Sequence, residues 1–97
     1  MTSSLIVDGM LSGTGLRDPA EGGYVEPSEV GLSSSLRQKL KAWLLRYEDA
    51  HYHQYEDGET NRQLDLEGLG IAKMVKDELP NVTVRYFSSA YLKELDL

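Results

Sequence analysis

The chain has 97 residues, 40% of them hydrophobic and 27% charged, with no cysteine and a formal net charge of −6. That length suits a single domain with a radius of gyration of about 13 Å, and the mixture is too apolar for a disordered tail and too broken by charge for a membrane span. The lack of cysteine excludes disulfides, thiolate metal sites and thiol nucleophiles and suits the cytoplasm, while the acidic balance weighs against nucleic acid as a partner.

Residues 1–35 form an irregular Gly/Ser-rich leader with turn signals at Gly9, Gly13, Gly15, Gly22 and Gly23. Its opening residues lack a basic region ahead of the apolar run, which Asp8 interrupts, so Leu5 to Val7 reads as a short strand and not as a secretory signal. The leader also carries Leu11, Leu16, Tyr24, Val25, Val30 and Leu32, more apolar side chains than a solvated linker needs, and is expected to lie against the helices. Its segment Ser12 to Asp18 has the small residues of an anion-binding loop. It lacks the lysine and Ser/Thr of a phosphate-binding loop and a helix directly after it, so a structural turn is the preferred reading.

Ser33 or Ser34 is placed to cap a helix over residues 34–55. At about 100° per residue, Leu36, Leu40, Trp43, Leu44, Tyr47, Ala50 and His51 share one stripe, the pattern of a core-facing helix centred on Trp43. Leu45 and Tyr52 stack on the back of this helix, and the leader is the preferred cover for them, with a partner protein or a homodimer as the alternatives. A second helix is expected over residues 61–79, opened by the capping box Thr60-Asn61-Arg62-Gln63 and stopped by Pro80. Gly68 falls in the middle of its apolar face, where a missing side chain permits close helix–helix approach; Gly70 points elsewhere and has no such explanation. A strand follows at 82–87, with the N-terminal strand as its expected neighbour, and 89–97 reads as a short terminal helix or tail.

The densest chemistry lies from Glu48 to Asp57, where carboxylates and tyrosines surround His51 and His53. The two histidines sit about 200° apart on a helix and cannot share an ion, and no third ligand follows from the spacing, so no metal, cofactor or catalytic residue is assigned. Between Glu48 and Glu67 there are seven acidic residues against Arg62 alone, a local charge of −6. The first helix also begins basic, at Arg37, Lys39 and Lys41, and ends acidic, the reverse of what its macrodipole favours. The reading preferred here is a protein-binding module that presents Glu48, Asp49, Tyr52, Tyr55, Glu56 and Asp57 to a basic protein partner, an immunity or antitoxin protein being one concrete version. The alternative is a small enzyme or metal-dependent protein centred on Asp49, His51 and His53.

The runs Trp43 to Glu48, Leu64 to Ala72 and Val84 to Ser88, together with Ser12 to Asp18 and Gly23-Tyr24, resemble a family of small uncharacterised single-domain bacterial proteins. The resemblance implies a bacterial origin and one domain, and no activity. The expected architecture is α+β, a two-helix hairpin packed on a small sheet formed by the N-terminal and C-terminal strands.

Overall fold

The structure, a computed structural model, describes residues 3–97. Strands β1 (Ser4–Asp8), β2 (Leu16–Asp18) and β3 (Gly23–Tyr24) precede helices α1 (Ser34–Tyr52) and α2 (Gly58–Glu78), and β4 (Thr83–Ser88) and β5 (Lys93–Leu95) close the chain. The architecture is therefore α+β, with five strands ordered β3-β2-β1-β4-β5. The first and last expected strands do pair, and they do so in parallel, Leu5 opposite Val84 and Val7 opposite Tyr86. A parallel pair needs a long crossover, which the helical hairpin supplies. The radius of gyration is 12.5 Å.

Alternation along the strands sorts the sheet into two faces. Leu5, Val7, Leu16, Val84 and Tyr86 join Leu36, Leu40, Trp43, Tyr47, Leu64, Ile71 and Val75 in one core between sheet and helices. Trp43 is completely buried, its indole N–H donates to the Leu64 carbonyl at 2.8 Å, and its ring meets Tyr47 edge-on at 5.3 Å. Gly68 lies directly beneath it. A methyl group there would overlap both the Tyr86 ring and the Trp43 indole, so the close approach that Gly68 permits is helix to sheet as well as helix to helix. Around Gly70 the space is open.

Several element boundaries differ from the sequence reading, each for a local reason. Helix α1 stops at Tyr52, not Tyr55, because Gln54 and Tyr55 take left-handed backbone (φ 57° and 54°) and the Tyr55 amide turns back to the Ala50 carbonyl. Non-glycine residues enter that region at a cost, offset here by the Tyr55 ring packing on Tyr47 at 6.1 Å. Helix α2 begins earlier than residue 61, at Gly58, because Asp57 and not Thr60 is its cap: the Asp57 carboxylate accepts from the amides of Glu59 and Thr60. The expected terminal helix is absent. Ser88 Oγ accepts from the Tyr91 amide, the chain reverses through Leu92 (φ 55°), and Lys93–Leu95 pairs antiparallel with β4.

The leader is also more ordered than a single strand, since β2 and β3 extend the sheet from β1. It does not cover the back of α1. Leu16 and Leu32 enter the core and Val25 and Val30 pack on it, which leaves Leu45 59% and Tyr52 69% exposed. The apolar content of the leader is thus spent on the sheet edge and on the flank of α1 carrying Leu40 and Leu44, where Gly15 (φ 92°) packs.

The two helical glycines should respond oppositely to the same substitution. Gly68→Ala is expected to lose about 1 to 3 kcal/mol by overpacking, whereas Gly70→Ala should gain on the order of 0.5 to 1 kcal/mol from helix propensity. Urea unfolding of the two variants checks this; a stabilised Gly68→Ala would remove the proposed contact.

Candidate partner-binding surface

The acidic end of α1 is also the beginning of α2, which resolves its apparent conflict with the helix dipole. Asp57 caps α2 and Glu59 sits in its first turn, so carboxylates that oppose one macrodipole complement the next. The antiparallel hairpin repeats the arrangement at its far end, where Glu78 accepts from the Ser33 amide at 2.7 Å and from Ser33 Oγ at 2.6 Å at the cap of α1. Hydrogen bonds from the Thr60 hydroxyl and amide hold the Asp57 carboxyl below the usual aspartate range, and Ser33 does the same for Glu78.

Of the six residues expected to meet a partner, four converge. Asp49, Tyr55, Glu56 and Asp57 line one cleft of about 250 Å³ together with His53 and Thr60. A second cleft of about 330 Å³ joins it at Asp49 and Thr60 and ends at the Arg46–Glu67 ion pair, which bridges the helices. Tyr55 is half-buried, with its ring packed against Tyr47 and its hydroxyl 3.4 Å from His51 Nδ1. Glu48 and Tyr52 do not enter this cleft. Glu48 lines a separate hollow with Met10 and Leu45, and Tyr52 projects outward one heptad beyond Leu45.

His53 stacks no ligand set. Its Nδ1 lies 2.8 Å from the Asp49 carbonyl, while His51 Nδ1 lies 3.4 Å from the Tyr55 hydroxyl, so the two rings serve different neighbours. Among the described residues no group of three or more histidine and carboxylate side chains is arranged to hold a metal ion. The Asp49 carbonyl first, and the Asp49 and Glu56 charges after it, raise the His53 pKa above its usual value of 6.5. The Ser12 to Asp18 loop is likewise occupied by the fold. The Asp8 amide donates to the Gly15 carbonyl across the turn, the Leu16 amide turns to Thr14 Oγ1, and Arg17 lies 3.3 Å from the buried Asp8 carboxylate and over the Phe87 ring.

Asp65 is one of the seven acids of the Glu48 to Glu67 stretch, and the structure places it 4% exposed in the core. Its Oδ1 accepts from Tyr47 Oη at 2.8 Å and Tyr86 Oη at 2.6 Å, and its Oδ2 accepts from Ser88 Oγ at 2.7 Å. Tyr47 Oη in turn accepts from the Ala90 amide at 3.0 Å. This network joins α1, α2, β4 and the β4–β5 turn directly beneath the hairpin. Its signal was available: Asp65 stands three residues before Gly68 and seven before Ala72, on the flank of the same buried face.

Burial first, and the Asp65 hydrogen bond and charge after it, push the Tyr47 pKa up to about 12, and Tyr86 is raised further by the same causes. A raised folded-state pKa contributes stability that is complete below the unfolded tyrosine value near 10 and is lost as pH climbs toward the folded value. Chemical denaturation should therefore show stability falling between about pH 10 and 12, and a flat profile would contradict the network. For His53, an NMR titration of the ring should give a pKa above 6.5. In Asp49→Asn that value should fall while staying above the ordinary one, since the backbone carbonyl remains.

A family model described as Serratia CdiI immunity protein-like matches residues 8–89. No curated protein and no solved structure matches the chain. The matched span runs from Asp8 at the end of β1 through both helices to Ser89 just past β4, and so takes in Trp43, Asp65, Gly68 and the acidic hairpin end. With most of its length covered by that model, the chain belongs to the Serratia CdiI immunity protein-like family.

Proposed function

We propose that this chain is an immunity protein that neutralises a toxin by binding it directly, with the acidic end of the helical hairpin as the contact surface and a basic patch on the toxin as its counterpart. The observation that carries the reading is the family match over residues 8–89. The surface is chosen by its chemistry: Asp49, Glu56 and Asp57 are exposed and adjacent, and Tyr52 beside them offers a large aromatic side chain already outside the core. Exposed aromatics are frequent anchors at interfaces. Complementary charge accelerates encounter and selects the partner.

An ordinary interface covers about 800 Å² of each partner, more than the cleft between Asp49 and Asp57 presents. The contact therefore extends along α1 through Tyr52 and Glu48 to the exposed Leu45. A place in the cytoplasm belongs to the same proposal; none of the helices is long and apolar enough to cross a membrane among the described residues.

The test uses the toxin recovered by affinity capture from the cells that produce it. Lysine at Glu48, Asp49 and Glu56, with Asp57 left in place as the α2 cap, should slow association about tenfold or more at low salt, and the difference should shrink as salt screens the charges. Stopped-flow association across an ionic-strength series measures this. An association rate that is unchanged and insensitive to salt would reject this surface as the contact.

A further inference from the structure

The flank of α1 opposite the acidic cleft carries a different chemistry. A hollow of about 340 Å³ opens between α1 and the leader, floored by Leu40, Leu44 and Pro27 and rimmed by Arg37, Lys41 and Glu26. A second hollow of about 230 Å³ shares Lys41 and Leu44 with this trough but also carries Glu48 and Leu45 of the surface proposed for the toxin, and it is not part of the trough. The trough runs along α1 from Arg37 to Leu44, about 10 Å at 1.5 Å per helical residue, the length of roughly three residues of extended peptide.

The arginine of this trough is unusual for the molecule, while its lysine, like the other lysines among the described residues, has no carboxylate partner. Arg17, Arg46, Arg62 and Arg85 each meet a carboxylate, from Asp8, Glu67, Glu59 and Glu94. Among the described residues Arg37 is the one arginine that does not, and Lys41, one helical turn further on, has no acidic partner either. Like charges at this spacing repel each other and destabilise a helix. Two unneutralised cations on the rim of an apolar floor, facing a single carboxylate, call for negative charge from outside.

We propose that this trough is a docking groove for an acidic peptide segment of a partner protein, with alternate carboxylates meeting Arg37 and Lys41 and the intervening apolar side chains lying on Leu40 and Leu44. An extended strand supplies that alternation by its own geometry, since successive side chains point to opposite sides. The groove is independent of the acidic hairpin end and would stand if that surface were not the toxin contact.

The probe is an N-acetylated hexapeptide amide alternating aspartate with leucine, titrated into the full-length, ¹⁵N-labelled protein and followed by amide chemical shifts. Saturable shifts are expected at Thr14, Ser28, Leu40, Lys41 and Leu44, with binding weakened at least tenfold in Arg37→Glu/Lys41→Glu and absent for the peptide with lysine in place of aspartate. Both substituted side chains are exposed, and Arg37→Gln/Lys41→Gln repeats the measurement should charge reversal disturb folding. Shifts that do not saturate at these residues, equal binding of the lysine peptide, or affinity indifferent to Arg37 and Lys41 would overturn the proposal. Saturation of the same residues by sodium octanoate but not by the peptide would overturn it too, in favour of a free amphipathic carboxylate.

Discussion

A single buried carboxylate organises this molecule. Asp65 is held by hydroxyls from Tyr47 on α1, Tyr86 on β4 and Ser88 at the end of that strand, so one side chain of α2 fixes the relation of both helices to the sheet. Removing an ionised carboxylate from water is expensive, and three short charge-assisted hydrogen bonds offset that cost only when all donors are in place. The geometry is therefore mutually dependent. Gly68 must lack a side chain for Tyr86 and Trp43 to approach, and that approach delivers the Tyr86 hydroxyl to Asp65.

The same antiparallel hairpin distributes charge economically. Because the end of one helix lies beside the start of the other, Asp57 and Glu78 each answer the unpaired amides of a helix N-terminus, Asp57 within the connecting turn and Glu78 at the open end of the hairpin, where it meets Ser33. An acidic cluster that looks misplaced against one dipole is in register with the other. The carboxylates left over at that end, Asp49 and Glu56, are free to face solvent and constitute the surface proposed for the toxin.

Helix α1 consequently presents three different environments around its circumference. One stripe is core, with Trp43 and Tyr47 fully buried; one faces α2 and bears the acidic cleft; the third meets the leader and bears Arg37 and Lys41 over an apolar floor. A chain of net charge −6 thus keeps a locally cationic trough, because the leader crosses α1 at Gly15 and the turn at Pro27 without placing a carboxylate on either cation. The family match spans all three environments.

Local chemistry was legible in the chain itself. The period of Leu36, Leu40, Trp43 and Tyr47 marked the buried face of α1, Ser33 or Ser34 marked its start, the alternation of Val84 and Tyr86 marked a strand, and Gly68 on an apolar face marked a close approach. These follow from spacing, which is a property of neighbours in sequence. Only the tertiary structure decided where α1 ends, because the left-handed turn at Gln54 and Tyr55 is stabilised by the Tyr47 ring, and where α2 begins, because the competition between Asp57 and Thr60 for its first amides is settled by the connecting turn. It alone turned Lys93–Leu95 into a strand, through a partner in β4, and set Asp65 apart from the other acids of its stretch by burying it in the core. Composition cannot distinguish a carboxylate in water from one whose three donors arrive from residues 18, 21 and 23 positions away.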